Sequence, residues 1–327
     1  MEQTLLKIKD LTVALKEQAG GLPIVKGVSL EIPKGRVVGL VGESGCGKSM
    51  TAKSVNGILP PDVEVRAGQI LWYGEEGEEK DLAAMPETEI RKLCGREIGM
   101  VFQEPMTSLN PLMRVGDQVR EVLLLHGLAA SKEEAKARVV ELFGEVGIPE
   151  PARRYNAWPH ELSGGLRQRV VIAMAAVAGP KLLIADEATT ALDVTIEAQI
   201  LKLIRRMCES RGMSALVITH NMRVVARICD EVYVMYMGRI MEKATVRQLF
   251  ANPLHPYTQG LLSSIPRIGN NPEYLSAIPG NIPELKKQIV GCEFCLRCSR
   301  DVRDCFFEKP ELKEAEEDHF VRCHVCG

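Results

Sequence analysis

Positive charge is not in surplus: 41 lysines and arginines stand against 43 aspartates and glutamates. The chain therefore lacks the basic excess that binding a phosphate backbone demands, and nucleic acid is not an expected partner. Long apolar runs are missing as well. The best candidate, residues 170–179, falls short of the ~20 residues that cross a bilayer, and the N-terminus shows no leader-peptide pattern; the chain is expected to stay in the cytoplasm. Aromatic residues make up only 5% of the sequence, and none occurs before Trp72. Cysteine is sparse over most of the chain, with Cys46, Cys94, Cys208 and Cys229 scattered, yet Cys292, Cys295, Cys298, Cys305, Cys323 and Cys326 crowd the last 36 residues. In a reducing compartment that crowding argues for metal or cluster ligation over disulfides.

What the chain does hold is enough apolar material, 46% of 327 residues, for one large domain or two smaller ones. Its most informative segment reads GESGCGKS at residues 42–49, between an apolar run at 37–41 and a helix-like stretch at 50–58. That is a Gly-rich phosphate cradle in its strand-to-helix setting. Gly42, Gly45 and Gly47 allow positive φ and close backbone approach, so the amides of the loop, from Glu43, Ser44 and Cys46 through to Met50, can turn toward a β-phosphate at a helix N-terminus. Lys48 is the point charge for the β- and γ-oxygens, and the Ser49 hydroxyl is a ligand for Mg2+.

Strand-like runs separated by Gly and Pro lead into this loop, as in a small antiparallel sheet. A solvated, acidic connection is expected over residues 73–81, then a strand at 98–102 and a helical insert over about 110–179, with Ala135, Val139, Leu142, Phe143 and Val146 on one face. Strands return at 182–185, 215–219 and 232–236, with a helix near 196–208. The alternation predicts an α/β fold with a mostly parallel sheet. A hairpin at Met237-Gly238-Arg239 and a short helix near 246–251 follow, and the Pro-rich stretch from Asn252 onward is expected to be irregular.

Leu182-Leu183-Ile184-Ala185-Asp186-Glu187 is an apolar strand ending in two carboxylates, suited to holding Mg2+ with Asp186 and polarising an attacking water with Glu187. Ser163, Gly164 and Gly165 precede a helix-like run, so Ser163 is placed as an N-cap at a second anion site without a lysine. With Gln103 (in Val101-Phe102-Gln103-Glu104-Pro105), Ala191-Leu192-Asp193 and His220, the set resembles the nucleotide-binding subunit of an ABC transporter, in the right order over residues 5–251. The resemblance implies a P-loop ABC cassette at 1–251 (helical subdomain about 110–179) and an extension at 252–327. It also implies roles: Ser163, Gly164 and Gly165 close on the γ-phosphate of ATP held by an opposite subunit, Gln103 touches Mg2+ and water while contacting a membrane subunit, His220 meets the γ-phosphate, and Asp193 communicates across the dimer. Two departures stand out. Leu166 replaces the usual Gln, as in the peptide-importer branch, and the aromatic that family members stack on adenine is missing, leaving Leu15, Leu22 or Ile24 to offer apolar contact and predicting weak base selectivity.

The run Asn-Pro-Leu-His-Pro-Tyr-Thr-Gln-Gly-Leu-Leu within residues 252–267 resembles the segment after the core in oligopeptide and dipeptide importer ATPases. The final cysteines resemble the same branch's C-terminal motif, which in some members holds a 4Fe-4S cluster; by that resemblance Cys292, Cys298, Cys305 and Cys323 are the ligands. Thiolate chemistry alone leaves zinc open, since Cys295/Cys298 with Cys323/Cys326 also forms a C-x2-C…C-x2-C arrangement. The implied protein is the ATPase subunit of a binding-protein-dependent importer of peptides or a related solute, nickel and oligosaccharide included. It works at the cytoplasmic membrane face with a second ATPase subunit, itself or a paralogue, two permeases and, indirectly, a solute-binding protein. The rival, a soluble ABC protein acting on ribosomes or DNA, fits less well: there is one cassette, no sustained heptads between Lys48 and Ser163, and no basic surplus.

Overall fold

The computed structural model describes residues 3–74, 78–103, 105–189, 192–265, 278–287 and 289–326. Glu104 and Ala191 of the motifs above, and residues 266–277 of the tail, lie outside the described residues. Two long strands open the chain, β1 (Thr4–Leu15) and β2 (Pro23–Pro33), where short runs are expected. The fully buried β3 (Val37–Val41) then leads through the Gly-rich loop into α1 (Lys48–Val55).

The expected connection over 73–81 is partly strand instead. β4 (Val63–Tyr73) pairs antiparallel with β1, and β5 (Glu79–Asp81) pairs with β4. Polarity conceals both. The middle of β4 faces solvent, and Gly68, at φ 93, crosses β1 where the register slips between Lys9 and Thr12. Asp81 secures the return, its Oδ1 accepting from the Ile70 and Ala83 amides at 3.0 Å each.

Further along come α2 (Glu87–Leu93), β6 (Ile98–Val101), α3 (Pro105–Ser108), α4 (Val115–Leu125), α5 (Lys132–Glu145), α6 (Pro151–Arg154) and α7 (Gly164–Ala176). The expected apolar face of α5 is buried, with Val146 just beyond its end. β7 (Leu182–Asp186), α8 (Val194–Arg211), β8 (Ser214–Thr219), α9 (Met222–Ile228), β9 (Glu231–Tyr236), β10 (Arg239–Thr245) and α10 (Val246–Ala251) follow the predicted alternation, and β9 and β10 form the hairpin about Met237-Gly238.

The chain divides into two compact units. One comprises residues 33–36 and 85–218. Its β6, β7 and β8 run parallel and are almost entirely buried, and α4, α5 and α7 pack on one another.

The other comprises residues 3–32, 37–84 and 219–327. It holds a four-stranded sheet in the order β2-β1-β4-β5, and β3 parallel to β9. The tail beyond Asn252, expected to be irregular, contributes regular elements here: α11 (Pro256–Ser263), α12 (Asp304–Phe307), β11 (Lys313–Glu316) and β12 (His319–Val321). β12 pairs antiparallel with β10, and Tyr257, Phe294, Cys292, Cys295 and Cys305 join Val41, Met222 and Tyr236 in one core cluster. Proline frequency misleads because the tail borrows a core from the rest of its unit. A fully buried carboxylate ties it down: Glu242 on β10 accepts from the Leu254 amide (2.8 Å), the His255 amide (2.9 Å) and His319 Nε2 (2.7 Å). His255 Nδ1 in turn caps α11 by accepting from the Tyr257 amide at 3.0 Å, and burial lowers its pKa to about 3, so the ring is neutral.

Candidate nucleotide site and cysteine cluster

At the end of β3 the backbone passes so close to β9 that a Cβ on Gly42 would stand 2.1 Å from the Met235 carbonyl oxygen; no other residue fits. Gly47 takes φ 107 as the residue before α1, the left-handed turn that lets the loop swing into the helix. Lys48 is only 4% exposed, and its Nζ donates to the carbonyls of Gly42 (2.8 Å) and Glu43 (2.9 Å). The ammonium is thus held inside the loop by neutral acceptors, poised for an anion that offers charged ones. Ser49 and Met50 continue the first turn of α1, while Ser44 and Gly45 are exposed. Cys46 is buried and its Sγ accepts from Lys48 Nζ at 3.7 Å; burial pushes its thiol pKa up despite that ammonium. Leu15, Leu22 and Ile24 are half-buried, and the Ile24 carbonyl lies 3.1 Å from where a Gly47 Cβ would stand. In the same unit His220 is exposed just after β8, followed by Asn221, which caps α9 by accepting from the Arg223 amide.

The unit built on β6, β7 and β8 carries the carboxylates. Asp186 closes β7 at 3% exposure. Glu187 takes a left-handed φ of 49, with its amide donating to the Ile218 carbonyl at 2.9 Å. A non-glycine residue in that region is strained, and such strain gathers at working sites. The turn aims the Glu187 carboxylate at Gln103, whose Nε2 donates to Oε2 at 2.9 Å, joining two residues 84 positions apart. Ser163 caps α7 as expected, its Oγ accepting from the Leu166 amide at 3.4 Å. A Cβ on Gly164 would meet nothing within 4 Å, so this chain's own packing does not require glycine there. Asp193 Oδ1 accepts from the Thr195 (3.1 Å) and Ile196 (2.9 Å) amides and so starts α8.

None of the six tail cysteines is in a disulfide. Cys292, Cys295 and Cys305 are buried, and Cys298, Cys323 and Cys326 are half-buried. Burial pushes Cys292 up to about 12 and raises Cys295 and Cys298; Cys326 rises to about 11, through burial and then its neighbour Cys323. Cys292 lies within electrostatic reach of Cys305 and Cys295, and Cys298 within reach of Cys323 and Cys305. Among the described residues, no group of three or more His, Cys, Asp or Glu side chains is placed to hold a metal ion.

Two residues touching the cradle escape the sequence reading. The Tyr257 hydroxyl accepts from the Glu43 amide at 2.8 Å, and Arg297 Nη1 donates to the Glu43 carboxylate at 2.7 Å. Both sit in the tail motifs, but contacts across more than 200 positions leave no spacing signal in a single sequence.

The family described as ABC transporter matches residues 25–190, and that described as Oligopeptide/dipeptide transporter, C-terminal region, matches residues 241–305. The oligopeptide transport ATP-binding protein OppD of Bacillus subtilis is 47% identical over 97% of this chain and 88% of its own. The dipeptide transport ATP-binding protein DppD of the same organism is 43% identical over 98% and 94%. A dimeric post-hydrolysis structure of the ATP-binding cassette MJ0796 bound to ADP and Pi superposes with a TM-score of 0.64 at 28% identity, over 74% of this chain and 99% of that one. The chain belongs to the ABC transporter family, in the branch of ATP-binding subunits that carries the oligopeptide/dipeptide transporter C-terminal region.

Proposed function

We propose that this chain hydrolyses ATP to drive the import of di- or oligopeptides through a binding-protein-dependent ABC transporter. The observation that carries the reading is the enclosed ammonium of Lys48, bonded to neutral atoms of the loop at the N-terminus of α1, where a triphosphate would replace them with charged acceptors. The peptide cargo follows from the relatives' names.

The residue roles follow the chemistry of each group. Gly42 to Met50 cradle the phosphates, and Ser49, Gln103 and Asp186 supply the hard oxygen donors that Mg2+ prefers. Glu187 takes the proton of the attacking water, oriented through Gln103; His220 contacts the γ-phosphate. Ser163, Gly164 and Gly165 receive the γ-phosphate of an opposite subunit, and the open space above Gly164 suits a group arriving from outside the chain. Asp193 links the two subunits. Exposed Phe102, beside Gln103, and exposed Leu112 offer an apolar surface for a permease. No helix among the described residues is long and apolar enough to cross a membrane; as an importer subunit the chain attaches peripherally to its permeases at the cytoplasmic face. In vesicles containing the permeases, ATPase activity is expected to rise when peptide-loaded binding protein is added; stimulation by nickel or a sugar alone reassigns the cargo.

For the tail we infer a 4Fe-4S cluster on Cys292, Cys298, Cys305 and Cys323. Cys292 is an electrostatic neighbour of Cys305, and Cys298 of Cys305 and Cys323, and thiolates are the ligands such a cluster takes. Bound there, the group would supply covalent cross-links between segments of the tail. Full-chain protein purified without oxygen is expected to be brown and to lose colour and iron on oxidation; colourless protein with stoichiometric zinc overturns the assignment.

A further inference from the structure

We propose that Arg297, supplied by the cysteine-rich tail, is a positioning residue of the phosphate loop: it neutralises Glu43 and so keeps the loop receptive to a triphosphate. This rests on the reading of residues 42–49 as a nucleotide cradle.

The contact is a two-pronged one. Nη1 donates to Glu43 Oε2 at 2.7 Å and Nη2 to Oε1 at 3.1 Å, the planar fork that only arginine offers. The guanidinium is held from every other side. Nε donates to the Pro279 carbonyl at 2.9 Å, Nη1 also reaches the Tyr236 hydroxyl at 3.4 Å, and the group lies 5.7 Å over the Tyr236 ring and 6.0 Å over Phe294. Its side chain is 4% exposed against 26% for Glu43. Arginine is therefore the fixed partner, and the loop residue is positioned by it.

The charge at Glu43 explains why a fixed partner is needed. Its carbonyl already accepts from Lys48 Nζ, so a free carboxylate on the same residue would lie within reach of that ammonium and compete with the incoming phosphates for it. It would also repel them, charge against like charge. Arg297 cancels both effects. The Tyr257 hydroxyl, accepting from the Glu43 amide, fixes the residue's backbone, so both ends of Glu43 are held by the tail. Arg297 closes the 3-10 turn Cys295–Arg297, next to Cys298, so the anchor of the phosphate loop is built into the cysteine motif itself.

Equilibrium binding of MgATP to the full chain tests this. Arg297→Gln is expected to weaken binding about 10-fold or more, the loss typical of a charge-assisted pair, with kcat at saturating ATP changed much less than KM. In a Glu43→Gln background the same substitution is expected to cost less than about twofold, because no carboxylate is left to neutralise. Unchanged affinity of Arg297→Gln, or an equal loss in both backgrounds, overturns the proposal, the second outcome making Arg297 a general support of the tail. Should Arg297→Gln not yield folded protein, Arg297→Met, which keeps the unbranched stem but not the charge, takes its place in the same cycle and is read by the same criterion: loss only where Glu43 is present supports, equal loss or no loss overturns. Lys48→Ala separates the proposal from the reading beneath it. Binding unweakened by Lys48→Ala fails the cradle, whereas binding weakened by Lys48→Ala yet indifferent to Arg297 fails only the clamp.

Discussion

Glu187→Gln is expected to bind MgATP within about threefold of the parent chain while turnover falls by about 100-fold or more, the loss typical when a general base is removed. The amide is isosteric and keeps an oxygen to accept from Gln103, so the geometry seen at 2.9 Å survives. What it cannot do is take a proton from water. With hydrolysis blocked, the γ-phosphate stays in place, and a complex in which that phosphate bridges two subunits persists. Single-turnover hydrolysis and size exclusion with MgATP are the measurements: no product and a doubled mass are expected. Normal hydrolysis by the variant would remove Glu187 as the base and leave the left-handed turn at that residue, φ 49, without a catalytic reason.

Lys48→Ala is expected to have the second large effect. Its Nζ satisfies two loop carbonyls and sits at 4% exposure, so the substitution removes the charge meant for the phosphates and strips the Gly42 and Glu43 carbonyls of their donor. A hydrogen bond to a charged partner contributes about 1.5–3 kcal/mol, and its loss corresponds to roughly 10- to 150-fold in nucleotide affinity. Turnover should become undetectable. Displacement of a fluorescent ATP analogue reads the affinity directly, and a variant that binds as the parent does would dismiss the cradle.

Much of this molecule is legible in its sequence because the informative features are local. The loop glycines, the apolar strand ending at Asp186, the cap at Ser163 and the amphipathic face of α5 each depend on neighbours within a turn or a strand, and each is found where its pattern puts it. Misreadings arise where tertiary partners override local character. β4 is polar and glycine-broken in its middle and is a strand only because β1 lies beside it. The tail carries many prolines and short elements and is ordered only because β10, Tyr236 and Met222 lend it a core. The hydrogen bonds from the α8 amides to Asp193, by contrast, make a local N-cap that any aspartate before a helix suggests.

The clamp on the phosphate loop joins residues 254 positions apart. A polypeptide emerging from the ribosome therefore exposes its Gly-rich loop long before the arginine that completes it has been translated. Contacts of such wide sequence separation form late and slowly. The growing chain thus passes through a period in which the loop exists but its acidic residue is unshielded, and nascent chains halted before the cysteine motif should be poor ligands for immobilised ATP even where their early strands have already folded.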